Sequence, residues 1–171
     1  MPDDRVPASL YEQDLDAWAL SQAVALRAVG EAAARDDEAA ELLRSLDWEN
    51  LAEEIEGLAR KDRRELGSRP ALIVEHLVKL EFSPSVGPRS GCTETVLRER
   101  TEIELILQDS PSLRRSMPEF LAKQSDGAIR LAARSLELHG DPEAAERVRQ
   151  SRMGTGYDLD DVLGSWLPDS P

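Results

Sequence analysis

The chain has few of the residues from which metal sites and disulfide scaffolds are built. It contains one cysteine, Cys92, and two histidines, His76 and His139. A single cysteine excludes an intramolecular disulfide and a cysteine-based metal cluster. A di-metal helical bundle needs a glutamate three residues before each histidine, but Ile73 precedes His76 and Leu136 precedes His139. We therefore expect no metal site and no cofactor.

The sequence also lacks any motif that specifies a reaction. It has no G-x-G-x-x-G stretch, no phosphate-binding loop, no H-E-x-x-H pair and no G-x-S-x-G elbow. Cys92 lies between Gly91 and Thr93 in a stretch that reads as a loop, without a histidine near it in sequence. We interpret it as an incidental thiol. The motifs identify no catalytic residue.

Positive charge is scarce, because 21 Lys and Arg stand against 34 Asp and Glu, for a formal net charge of −13. Such a charge repels phosphate backbones and anionic lipid, which disfavours nucleic acids and membranes as partners. No stretch approaches the roughly 18 apolar residues that span a bilayer. The first residues also lack the order of a signal peptide. We expect a cytoplasmic protein.

What the sequence does contain is helical periodicity bounded by capping residues, glycines and prolines. The pattern predicts an all-α fold, a single-domain bundle of about six helices without a sheet, over residues 9–171 after a flexible tail at 1–8. A capping box at Ser9 and Glu12 opens the first helix. Other helices are predicted over about 37–46, from near Thr93, over about 117–138 and from Asp141 to Arg152. Residues 83–92 predict a loop, and a segment near 157–168 is predicted to dock on the body.

The longest periodic stretch runs from Leu46 to Phe82. Pro70 interrupts it and removes one backbone hydrogen bond, so the stretch is either one long central helix or a helix pair kinked at that residue. Apolar side chains recur at spacings of three, four or their sums, which predicts one buried face. That face comprises Leu51, Ile55, Leu58, Leu66, Ile73, Leu77 and Leu80.

Charges in this stretch are ordered, with acidic residues before basic ones. The simpler interpretation is a solvated helix face whose ion pairs add little stability. The other is a second copy lying antiparallel, acidic half against basic half, in a two-fold homodimer. The acidic set is Glu49, Glu53, Glu54 and Glu56, and the basic set is Arg60, Lys61, Arg63 and Arg64.

Three polar residues, Asp62, Arg69 and His76, follow one another at intervals of seven close to the apolar face. They could form a small polar site inside a bundle, or lie at the edge of the face and reach water. The residues that a folded ligand site would draw on are Tyr11, Asp14, Glu54, Asp62, Arg69, His76 and Arg100.

Five separated segments stand in a characteristic order: YEQDLDAW at 11–18, LDWENLAEEIEGLARKDRRELGSR at 46–69, LVKLEF at 77–82, LRERTEIELILQDSPSLR at 97–114 and LDDVLGSWLP at 159–168. Together they resemble the bacterial family of the domain of unknown function 29. The resemblance implies an all-helical cytoplasmic bacterial protein without an established activity, and it transfers no catalytic residue. This chain has Cys92 where members tend to place a tryptophan. The family's recurrent residues correspond to Tyr11, Asp14, Trp18, Glu53, Glu54, Ile55, Glu56, Arg100, Ile103, Ser110, Pro111, Ser112 and Leu113.

These observations favour a non-enzymatic interaction or structural module that self-associates as a homodimer or binds an unknown protein partner. The alternative is an enzyme or small-ligand binder with a polar site around Asp62, Arg69 and His76. Nucleic-acid binding through the basic residues from Arg60 to Arg64 is a third hypothesis, which the net charge opposes.

Overall fold

The computed structural model describes residues 9–33, 46–84 and 89–169, and all regular structure in these ranges is helical. The all-α prediction is confirmed. The tail at 1–8, and all but the last residue of the helix predicted over 37–46, lie outside the described residues. The helices are α1 (Leu10–Gln13), α2 (Leu15–Ala33), α3 (Trp48–Phe82), α4 (Arg89–Asp109), a 3-10 helix (Pro111–Ser116), α5 (Met117–Leu138), α6 (Pro142–Ser151) and α7 (Leu159–Leu163).

The chain divides into two compact units. The first unit comprises the described residues of Met1–Arg64 together with Ile106–Arg114, and the second comprises those of Glu65–Leu105 and Arg115–Pro171. Helices α3 and α4 each contribute residues to both units. The prediction of a single domain stays a prediction.

The capping box at the start of α1 forms, since the Ser9 backbone N–H donates to Glu12 Oε2 over 2.9 Å. The helix that it opens is shorter than predicted, because Asp14 adopts an extended conformation with φ −160°. Its carboxylate accepts a hydrogen bond of 2.8 Å from the Ala17 N–H and so caps a new helix, α2. The single helix predicted after Ser9 is therefore two helices, α1 and α2.

Small residues form much of the interior of the first unit. Gly30 of α2 lies so close to α3 that a Cβ atom at this position would be 2.7 Å from Trp48 Cβ. Alanines in the same two helices permit similarly close packing, with little apolar area from each side chain. The buried alanines are Ala19, Ala23 and Ala33 of α2 and Ala52 and Ala59 of α3.

The predicted buried face of α3 is correct in the second unit, whereas in the first unit Ile55 is half-buried and the two leucines are exposed. Leu51 and Leu58 are 42% and 44% exposed. Each is followed by a buried alanine, Ala52 or Ala59, and adjacent helical residues diverge by about 100°. The face turned to the protein interior is thus rotated from the predicted one, which leaves both leucines outside. In the second unit the predicted members are at most 1% exposed: Leu66, Ile73, Leu77 and Leu80.

Helix α3 runs without interruption through Pro70, so the stretch is one long helix. Its second half packs into a core of large aliphatic side chains. Contributions from the other helices of the second unit, each at most 2% exposed, are Val96 and Ile103 of α4, Met117 and Ile129 of α5, Val148 of α6 and Val162 of α7.

The loop predicted over 83–92 is too long at its second end, because α4 begins at Arg89 and not near Thr93. The Arg89 guanidinium donates to Leu80 O over 2.6 Å and to Pro168 O over 2.9 Å, which anchors the first turn of α4. Gly91 is exposed in that turn, where a glycine disrupts little packing. Cys92 is consequently a buried helical residue, contrary to its expected place in a loop.

The segment around α7 is held within the second unit by both backbone and side-chain contacts. Arg100 donates to three carbonyl oxygens, those of Asp161 at 2.7 Å, Val162 at 2.9 Å and Trp166 at 2.8 Å. Val162 is fully buried, and the rings of Tyr157 and Trp166 lie 6.3 Å apart.

Leucines at the two ends of α3 should respond differently to truncation. Leu66→Ala is expected to lower the free energy of unfolding by about 2–5 kcal/mol, because it opens a cavity in the core. Leu51→Ala should change it by less than about 0.5 kcal/mol when the chain is monomeric. Urea denaturation followed by circular dichroism at low protein concentration measures both. Equal losses would contradict the assignment of the buried face.

Candidate functional site

Asp14, one of the predicted site residues, ties the start of α2 to a distant turn. Its carboxylate accepts from the Ser112 N–H at 2.6 Å and from the Ser112 hydroxyl at 3.0 Å, in addition to the Ala17 N–H. The residue is only 9% exposed. The chain itself therefore supplies three donors to this carboxylate, as expected for a buried acid.

Asp16 and Arg63 extend this arrangement, and the sequence analysis did not identify either. Arg63 Nε and Nη2 bind the two oxygens of Asp16 at 2.8 and 2.9 Å, in bidentate geometry. The hydrogen bond to Asp16 raises the pKa of Arg63. The Asp16 N–H donates to the Ser110 hydroxyl over 3.1 Å, and that hydroxyl donates to Asp62 Oδ2 over 3.4 Å. Asp14, Asp16 and Asp62 thus all bond to the serines of one turn.

The other two candidates in the first unit lie at its surface. Tyr11 is 57% exposed and packs edge-on against Trp18, with ring centroids 4.8 Å apart. Glu54 is exposed on α3.

In the second unit, Arg69 is surrounded by carboxylates. Its Nη1 donates to Glu99 Oε2 over 2.7 Å, and its Nη2 lies 3.2 Å from Glu102 and 3.4 Å from Glu65. Burial acts to lower the pKa of Arg69, but the hydrogen bonds and charges of Glu99, Glu65 and Glu102 together outweigh it, and the pKa is raised. Glu99 is only 6% exposed, so the Arg69 charge compensates a buried carboxylate.

His76 lies half-buried on the same helix, and its Nδ1 atom is buried without a hydrogen-bond partner among the described residues. Desolvation lowers the pKa of His76, helped by the charges of Lys79 and Arg98 and opposed by those of Glu75 and Glu99. The imidazole is therefore neutral at pH 7.

Arg100 occupies a different place from Arg69 and His76. Its guanidinium binds the backbone carbonyls of the segment around α7, and burial lowers its pKa.

The structure brings some of the seven candidates close to common neighbours. Asp14 and Asp62 form hydrogen bonds with serines of the 110–112 turn. The charge of Glu99 acts to raise the pKa of both Arg69 and His76. Asp62 belongs to the first unit, whereas Arg69 and His76 belong to the second. Glu99 has a sequence signal that could have identified it, because it lies on the apolar face of α4 between Val96 and Ile103. A ligand-binding role for the seven residues stays a prediction.

Within residues 9–33, 46–84 and 89–169, no group of three or more His, Cys, Asp or Glu side chains is placed to hold a metal ion. The helices in these ranges also fall short of the combined length and apolarity that crossing a bilayer requires.

Asp14→Ala should lower the free energy of unfolding by about 1–3 kcal/mol, because three donors lose their acceptor and α2 loses its cap. Glu54→Ala removes an exposed carboxylate from the same unit and should change stability by less than about 0.5 kcal/mol. Urea denaturation of both variants compares them. A loss for Asp14→Ala no larger than for the control would show that the turn needs no such anchor.

The lowered pKa of His76 predicts a pH dependence of stability. Above the pKa of about 6.5 in the unfolded chain, the histidine is neutral in both states. As the pH falls below that value, the unfolded state binds the proton first, so stability is lost until the pH passes the lower folded-state pKa. Denaturation midpoints between pH 7.5 and 5.5 should therefore fall less steeply in His76→Gln than in the wild type. If the midpoints of His76→Gln and the wild type fall equally steeply with pH, the lowered pKa of His76 would be refuted.

The comparison with known families extends over both units. The family described as domain of unknown function DUF29 matches residues 10–149, from the start of α1 almost to the end of α6. No curated protein and no solved structure matches the chain. The family match covers far more than half of the 171 residues, and the chain is therefore a member of the DUF29 family.

Proposed function

We propose that this protein is a non-enzymatic interaction module of the bacterial cytoplasm that self-associates as an antiparallel homodimer through the first half of α3. The observation that supports this function is the exposure of Leu51 and Leu58, two large apolar side chains on a helix that otherwise has a well-defined buried face. In a reducing cytoplasm, the lone Cys92 remains a thiol.

The proposed contact surface is the Leu51 face, which we define as Leu51, Glu54, Leu58 and Lys61. These residues are spaced by three, four and three positions, so they lie on one side of the helix. All four are exposed in the single chain. Apolar side chains repeated at such spacing are typical of a helix that packs against another helix.

The charges of the Leu51 face favour a second copy as the occupant. Glu54 and Lys61 flank Leu58 and are seven residues apart, which is about 10 Å along the axis. In an antiparallel pair with its two-fold axis midway between them, Glu54 of each copy faces Lys61 of the other. The symmetry forms two ion pairs around a leucine contact. A parallel pair in register would instead place like charges together.

Two neighbouring acids of α3, Glu49 and Glu56, are already engaged within the chain. Arg27 binds Glu49 at 3.1 Å and Glu56 at 2.9 Å, and the hydrogen bond from Arg27 lowers the pKa of Glu56. The intramolecular ion pairs therefore lie beside the Leu51 face, and Glu54 and Lys61 remain exposed on it.

Charge reversal tests this arrangement. Glu54→Lys and Lys61→Glu each turn two attractive pairs into two repulsive ones, and each should weaken the dimer by about tenfold or more at low salt. The double variant Glu54→Lys/Lys61→Glu restores opposite charges and should dimerise like the wild type. Sedimentation equilibrium at low and high salt measures the dissociation constants.

Leu58→Gln should also weaken the dimer, whereas Leu138→Gln provides a matched control, because Leu138 is 70% exposed but lies on α5 in the second unit. A wild-type chain that is monomeric at both salt concentrations would refute self-association. Failure of the double variant to recover would refute the antiparallel pairing of Glu54 with Lys61. If the Leu51 face binds a different protein, its substitutions will leave the oligomeric state unchanged.

A further inference from the structure

The second unit contains a cavity of about 660 Å³, and no residue of the Leu51 face is among its lining residues. Its walls come from the end of α3, the first turn of α4 and residues 135–141 at the end of α5. The volume falls within the range of roughly 300–1,000 Å³ that is usual for small-molecule sites.

Much of the cavity wall is apolar. Leu80, Cys92 and Leu136 line it and are 1%, 8% and 5% exposed. Burial raises the pKa of the Cys92 thiol, so the sulfur stays protonated near neutral pH and acts as a small apolar group. This part of the wall suits a hydrocarbon or aromatic body.

The charged groups of the lining favour an anion. Arg89 and Lys79 are both cationic. The Arg89 guanidinium donates to the neutral carbonyl oxygens of Leu80 and Pro168, and no carboxylate among the described residues forms an ion pair with it. Lys79 binds Glu75, one turn earlier on α3.

Among the described lining residues the only acid is Asp141, and one of its carboxylate oxygens is engaged within the chain. Its Oδ1 accepts a hydrogen bond of 3.0 Å from the Ala144 N–H and caps α6. Its negative charge therefore faces the positive end of a helix dipole. In a protein with a net charge of −13, the cavity wall is locally more cationic than acidic.

We propose that this cavity binds a small organic acid with an apolar body. The carboxylate of the ligand lies against Lys79 and Arg89, and its apolar part contacts Leu80, Leu136 and the Cys92 thiol. This site is independent of the proposed dimer, since none of its residues belongs to the Leu51 face.

The test uses the full chain with three probes of equal length, sodium octanoate, 1-octanol and octylamine, at matched submillimolar concentrations. A ligand that binds only the folded state raises the melting temperature by mass action. Octanoate should raise it by about 3 °C or more, and more than either of the other probes. It should also slow alkylation of Cys92 by N-ethylmaleimide by about threefold or more in the wild type, because a bound apolar chain covers the sulfur.

Lys79→Gln should weaken octanoate binding by about fivefold, the effect expected for one accessible ion pair. Lys123→Gln removes an exposed lysine of α5 away from the cavity and should bind octanoate like the wild type. Melting curves without ligand verify that both variants fold, and the protection of Cys92 in the wild type requires no substitution.

Four results would overturn the proposal. Equal effects of octanoate and octanol would exclude recognition of the carboxylate, and a larger effect of octylamine would reverse the assigned charge preference. A rise in melting temperature without protection of Cys92 would place the ligand outside this cavity. Absence of both effects would exclude binding of this class of ligand.

Discussion

Burial of the second half of α3 is the interaction on which the architecture of the second unit depends. Four of its aliphatic side chains, Leu66, Ile73, Leu77 and Leu80, are almost fully removed from water. Each contributes about 1.5–3 kcal/mol on burial, which makes this face a dominant source of apolar stabilisation. The first half of the same helix buries alanines, whose smaller area contributes much less. The helix therefore connects a unit stabilised by large apolar contacts with one that needs additional interactions.

Buried polar contacts supply such interactions in the first unit. The Asp16 side chain is 3% exposed and is held by both nitrogens of a bidentate Arg63, while Asp14 takes three donors from backbone and hydroxyl groups. Buried carboxylates are costly unless they are paired in this way, so removing one partner destabilises more than the contact itself contributes. Their directional bonds also specify where the 110–112 turn lies relative to the start of α2. Apolar packing on alanine alone would specify that position less sharply.

Local signals were sufficient to predict several elements, and contacts distant in sequence explain the rest. Helix α5 and the Asp141 cap of α6 follow from periodicity, proline and capping residues that lie within a few positions of one another. The extended Asp14 does not, because its partner Ser112 is 98 residues away. The exposure of Leu51 depends on whether the neighbouring helix contacts the leucine or the adjacent Ala52, and both residues fit an apolar face. Glu99 and Asp16 were missed because charged side chains are usually exposed, and their arginine partners, Arg69 and Arg63, lie 30 and 47 residues away in sequence.

The way in which Arg100 holds the segment around α7 has an evolutionary consequence. All three of its acceptors are main-chain oxygens, and a main-chain oxygen is present whichever side chain a residue carries. Substitutions at residues 161 and 166 therefore leave these acceptors in place, provided that the chain keeps its length and path. The arginine itself has no such freedom, because lysine lacks the planar, multi-donor head that reaches three carbonyls at once. The contact therefore constrains Arg100 and the length of the segment that it holds. Arg100 lies within the residues that the family match covers, whereas the segment around α7 lies beyond them.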